Sequence, residues 1–169
     1  MRSFPSIESR IELGVAASYS SIEFEQVTQG VTAREMEDKW DITFDDPWLY
    51  FHRSWTGICV YGLRFERSVT GASVVESWVN RDQAQYRMTS IEYDRAMARF
   101  LIDALMLGKQ AALPDPPGET LTGLTKAVYE HSIVGHVTSA ATHEFMTTEH
   151  GSWWDRLLLR FRRKPRSDA

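Results

Sequence analysis

His52, Arg53, Trp55 and Thr56 fall within five residues, at the end of the aromatic run Asp45-Asp46-Pro47-Trp48-Leu49-Tyr50-Phe51-His52-Arg53-Ser54-Trp55-Thr56-Gly57. A guanidinium beside an exposed indole and two hydroxyls suits the reading of a phosphate, carboxylate or nucleobase, through bidentate hydrogen bonds and stacking. Were the bound group to be hydrolysed or transferred, His52 or an Asp of the neighbouring strand would act as general base. The plain alternative is a hairpin turn, with Arg53 in a surface ion pair and Trp55 lying over the core. The ligand-binding candidates are therefore His52, Arg53, Trp55 and Thr56, and spacing fixes no acid–base pair. The acidic turn Asp45-Asp46 belongs to the opposite end of the same strand, so it is not automatically a neighbour of Arg53.

Other reactive side chains carry less. His136, His143 and His150 recur every seven residues, with Glu144 and Glu149 beside them and His131 next to Glu130. On a straight helix that spacing sets successive imidazoles roughly 10 Å apart. A zinc ion needs its ligands to converge at about 2 Å, so no metal site is expected. Cys59 has the chemistry of a nucleophile, yet its place in an apolar alternation predicts a buried, inert thiol. No glycine-rich phosphate loop, dinucleotide fingerprint or metalloprotease signature is present, and no cofactor is implied.

The elements that must position the candidates run from Met36 to Arg67, a stretch holding three of the six tryptophans and the single cysteine. Trp40, Ile42 and Phe44 alternate with Asp41, Thr43 and Asp45, the period of a strand with one wet face. Asp46-Pro47 turns the chain, residues 48–54 form a second strand, and Thr56-Gly57 turns it again. Ile58–Arg67 and Ala72–Val79 follow as strands, and the short connections make the pairing antiparallel. Upstream, residues 6–18 suit helix or strand equally. Residues 21–28 alternate as a strand, and Thr32 with Glu35 reads as a capping box. Downstream, Ser90 caps a helix over 91–107 with an apolar stripe of Ile91, Met97, Ala98, Leu101, Ile102 and Leu105.

The Pro-rich stretch 111–118 reads as a stiff hinge, after which residues 120–130 and 153–163 should be helical. The expectation is one α+β domain: an antiparallel meander of four or five strands over residues 21–79, packed by the 91–107 helix. A mostly helical portion, 119–169, follows. Alternation puts Cys59, Tyr61, Leu63 and Phe65 on one face and Ile58 and Val60 on the other. The face away from the helix needs the N-terminal segment, the C-terminal helices or a second subunit as a homodimer.

A chain of 169 residues supports one well-buried core, and 43% apolar with 25% charged residues is ordinary for a globular protein. A net charge of −4 argues against nucleic-acid binding as the main role. Six cationic residues nevertheless crowd the last fourteen positions, from Arg156 to Arg166. With Trp153, Trp154, Leu157, Leu158 and Phe161 they have the composition of an interfacial helix, suited to an anionic membrane, a nucleic-acid backbone or an acidic partner. One cysteine excludes an internal disulfide, and no apolar run approaches the roughly 18 residues of a membrane span. Residues 1–5 begin no continuous apolar signal region, and a cytoplasmic protein is expected.

Asp38-Lys39-Trp40-Asp41-Ile42 followed by Trp48 to Gly57 resembles a motif of uncharacterised bacterial domains, some of which occur near ADP-ribosylglycohydrolases. The resemblance covers about residues 28–67. It implies a bacterial origin and a link to nucleotide-sugar or ADP-ribose signalling, and assigns no residue a role. The expected function is that of a cytoplasmic accessory or binding module. Its central aromatic and arginine groups would recognise a protein partner or a small anionic ligand. The alternative is a small hydrolase or transferase acting on a phosphorylated or ADP-ribosyl compound.

Overall fold

Four consecutive strands form the expected meander: β3 (Trp40–Asp45), β4 (Trp48–Arg53), β5 (Cys59–Ser68) and β6 (Gly71–Asn80). They belong to a computed structural model that describes residues 2–34 and 38–134. The chain divides into two compact units, 1–136 and 137–169, and every described residue belongs to the first. Two short strands, β1 (Arg10–Glu12) and β2 (Ser18–Ser20), pair end to end along the free side of β6. The sheet thus has six strands, all antiparallel, in the order β1-β6-β5-β4-β3 with β2 also on β6. With its helices it makes an α+β fold.

Residues 21–28 are not a strand but an α-helix, α1 (Ser21–Thr28). The alternation of Ile22, Phe24 and Gln26 also fits an eight-residue helix, and what decides is the residue before the window. Ser20 accepts from the Glu23 backbone N–H while the Glu23 carboxylate accepts from the Ser20 N–H, a complete capping box. The buried pair Phe24 and Val27, three apart, then faces the sheet, and Phe24 packs on Phe44 and Phe65 at 5.6 and 5.1 Å. Burying such a side chain contributes about 1.5–3 kcal/mol, which outweighs the weak strand preference of the segment. Residues 32–34, where the capping box expected at Thr32 would begin, are not helical. Val31 instead exchanges both backbone hydrogen bonds with Ile42 at the edge of β3, and Glu35 lies outside the described residues.

The helix capped by Ser90 is α-helical over α2 (Ile91–Phe100) and continues as π-helical winding over Leu101–Met106. Tyr93, Met97, Ala98, Phe100, Leu101 and Ile102 are buried on it. Leu113, inside the Pro-rich stretch, is also buried. Helix α3 (Gly123–Val134) follows. His136, His143, His150 and the Trp153–Arg166 tail lie outside the described residues.

One irregularity sets which side chains share a surface. Phe51 pairs with Tyr61 and His52 with Cys59, so Val60 is an extra residue, a β-bulge. Cys59 and Tyr61, expected on one face, therefore lie on opposite faces. The first face carries Trp40, Ile42, Leu49, Phe51, Arg53, Tyr61 and Leu63 beneath the helices. The second carries Asp41, Trp48, Tyr50, His52, Cys59 and Trp78.

The second face is partly covered by the N-terminal segment, as one of the expected solutions required. Ser3 bridges to Ile58, donating to the Gly57 carbonyl and accepting from the Cys59 N–H. Phe4 packs edge-on against Tyr50 and His52 at 4.9 and 5.3 Å. Trp48 stacks on Tyr50 at 5.9 Å, and Arg10 lies 4.6 Å over Trp78.

Candidate anion-binding site

Trp40 and Arg53 are directly opposed on β3 and β4, with side chains on the face beneath the helices. The pairing lays the guanidinium on the indole, its carbon 4.0 Å from the ring centroid. Trp40 is itself stacked on Tyr61 at 5.9 Å and 20°, and its Nε1 donates to the Ile133 carbonyl of α3 at 2.9 Å. Arg53 thus caps a column of two rings that cannot rotate away. A guanidinium stacked in this way keeps its five N–H donors in its own plane, pointing past the ring edges. Arg53 is half-buried, and among the described residues no carboxylate lies within ion-pair distance of it.

Hydroxyls surround this column. Tyr61 and Tyr86 both reach Oδ1 of Asp94, at 2.9 and 2.5 Å, and their own oxygens are 2.9 Å apart. Three oxygens in a triangle with two phenolic protons can fill two of the three sides, so the pair shares its protons with one carboxylate. Oδ2 of Asp94 accepts from Arg81 at 2.6 Å, and Arg81 also donates to the Met88 carbonyl at 3.0 Å. Asp94 is fully buried, yet each of its oxygens is matched. One residue earlier on α2, the Tyr93 hydroxyl meets Tyr129 of α3 at 2.5 Å.

Burial raises the pKa of Tyr61, Tyr86 and Tyr93 above the ordinary phenol value, and only partly does the Arg53 charge offset this at Tyr86 and Tyr93. All three stay protonated at neutral pH and act as hydrogen-bond donors rather than bases. The Arg53 charge reaches Tyr86 and Tyr93, and its guanidinium can meet an oxyanion beside these neutral phenols. Among the described residues Asp94 is the carboxylate of this cluster, and both its oxygens are already engaged.

The other candidates from the sequence do not gather at Arg53. His52 lies on the opposite face of β4, fully buried beneath Phe4, and neither ring nitrogen has a hydrogen-bond partner. Its pKa is lowered, first by burial and then by the Arg2 charge. Trp55 is 66% exposed on the turn, with Lys39 Nζ 4.8 Å over its ring. The Thr56 hydroxyl accepts from the Ile58 N–H within the turn. Asp45 and Asp46 sit at the far end of β4, where Asp46 pairs with Arg67 at 3.5 Å.

Cys59 is buried, donates weakly to the Tyr61 carbonyl at 3.4 Å, and has its thiol pushed up to about 12 by burial. The inert reading of this thiol follows. Among the described residues no three metal-ligating side chains come together, and no helix is long and apolar enough to cross a membrane.

Sequence reasoning missed Arg81, Tyr86, Tyr93, Asp94 and Tyr129. Asp94 had a signal: three residues after Ile91 and three before Met97, it is an acid on the apolar stripe of its helix. No protein-family model, curated protein or solved structure matches the chain.

Proposed function

We propose that this protein is a binding module that recognises an anionic group, a phosphate or carboxylate carried by a small ligand or a partner protein, through Arg53. The observation that carries the reading is the half-buried guanidinium, held on Trp40 and flanked by protonated phenols, without a carboxylate partner among the described residues. A cation fixed in place and left without a counter-charge is costly unless an anion meets it. A cytoplasmic setting suits the single buried thiol. A hydrolase acting at the same place would have to find its base elsewhere, because His52 and Arg53 lie on opposite faces of one strand.

Isothermal titration with inorganic phosphate and with ADP-ribose tests the proposal. A hydrogen bond to a charged group contributes about 1.5–3 kcal/mol, so Arg53→Ala should weaken binding by roughly 10- to 150-fold. Arg53→Lys, which keeps the charge but not the planar fork, should recover part of that. Equal affinity in wild type and Arg53→Ala, with unchanged circular dichroism, would remove the site.

A further inference from the structure

The second face holds a group that the anion site does not use. Asp41 and His52 are directly opposed across β3 and β4. Asp41 Oδ2 accepts from Arg2 at 3.2 Å, while its Oδ1 is buried without a hydrogen-bond partner, as are both nitrogens of His52. Above them lies the strap of residues 2–6. At its start it is fixed by the Arg2–Asp41 pair, the Phe4 ring on His52 and Tyr50, and the two backbone bonds of Ser3 to Gly57 and Cys59; further on, Arg10 donates to the Pro5 carbonyl and Ser6 bonds Ser9.

We propose that this strap is a proton-gated cover, in which protonation of His52 turns Asp41 from Arg2 toward the imidazolium and lifts residues 2–6 off the sheet. Asp41 faces two cations in the protonated state and has one oxygen engaged with Arg2 and one vacant. Arg2 holds Asp41 now, at 3.2 Å, but it is half exposed at the end of the strap, whereas His52 stands opposite Asp41 in the neighbouring strand at fixed register. An imidazolium under Phe4 also lacks water and stands beside the Arg2 charge, and both favour separation of the strap.

The groups facing His52 from each packed element are Arg2 of the strap, Asp41 of β3, Cys59 of β5 and Tyr50 of its own strand. Arg10 of β1 acts on the last two. Of these, Asp41 alone favours the charged form. Burial outweighs it, and the pKa of His52 under the closed strap lies below the ordinary 6.5.

The sign follows from linkage. A histidine depressed in the closed state binds its proton preferentially in the open state, so closure is fully favoured above pH 6.5 and weakens as pH falls toward the closed-state pKa. One proton gives at most a tenfold change per pH unit. Between pH 7.5 and 5.5 the opening equilibrium should rise, by at most about tenfold.

Hydrogen exchange of the Cys59 amide, which donates to Ser3, reads this directly once divided by the intrinsic rate at each pH. Its protection factor should fall over that range in wild type, by at most about tenfold, while the Glu23 and Phe65 amides keep theirs. In His52→Gln the fall should vanish. Imidazole titration by NMR in the unaltered protein gives a second reading that needs no variant to fold. A His52 pKa at or above 6.5, or a Cys59 protection factor flat from pH 7.5 to 5.5, would overturn the proposal.

Discussion

Replacing Asp94 by asparagine should be among the most damaging single changes in this chain, and its cost can be worked from the geometry. The carboxylate is fully buried and 2.6 Å from Arg81, whose side chain is 14% exposed. Breaking a buried pair by neutralising one member costs about 3–5 kcal/mol, because the other charge is left without compensation. Arg81 retains some contact with water, which places the expected loss near the lower end, about 3 kcal/mol. Asparagine can still accept from the phenols through its carbonyl oxygen, but its amide then presents a donor to the Arg81 donor.

Against a total stability of about 5–15 kcal/mol that is a large fraction. With a urea dependence of about 1–3 kcal/mol/M, the unfolding midpoint should fall by about 1–3 M with an unchanged slope. Arg81→Met combined with Asp94→Leu removes both charges and leaves Tyr61 and Tyr86 to bond each other, so the double variant should be more stable than Asp94→Asn alone. Urea titrations of wild type, Arg81→Met, Asp94→Leu and their combination complete a double-mutant cycle. Stability of Asp94→Asn within about 0.5 kcal/mol of wild type, or strict additivity of the two single changes, would refute the reasoning.

Two further outcomes follow from the same kind of argument. With its thiol pushed up to about 12, Cys59 should not react with iodoacetamide at pH 8 over hours in the folded protein and should react promptly in denaturant; prompt labelling of folded protein would contradict the burial assigned to it. Ser20→Ala removes the cap of α1 and should cost about 1 kcal/mol in urea unfolding, with no change in the meander as read by Trp40 and Trp78 fluorescence.

What the sequence revealed about the fold depended on how locally each feature is encoded. The meander was legible because Trp40, Ile42 and Phe44 alternate over a full strand and Asp46-Pro47 and Thr56-Gly57 mark the turns. Residues 21–28 were misread because eight residues satisfy both periods, and the deciding Ser20–Glu23 box starts outside the alternation. The bulge at Val60 leaves no local trace, so the facing of Cys59 could not be read. At the site, Arg53 was legible as a cation beside an aromatic turn. Tyr86, Tyr93 and Tyr129 join it from segments about 30 to 75 positions further along the chain, and only tertiary packing brings them there.

The extra residue at Val60 has a consequence for chain length. Its upstream neighbour, Cys59, anchors Ser3, and its downstream neighbour, Tyr61, stands under Trp40 and reaches Asp94. Deleting Val60 would restore simple alternation, and one neighbour would then have to change sides. Either Tyr61 would leave the carboxylate or Cys59 would leave the strap. A deletion at Trp55 or Thr56 would shorten the hairpin and leave the Ser54 and Gly57 contacts with Lys39 and Ser3 in sequence reach. Among homologous chains, therefore, a gap at this one position should travel with changes on both surfaces of the sheet, whereas gaps at Trp55 or Thr56 should not.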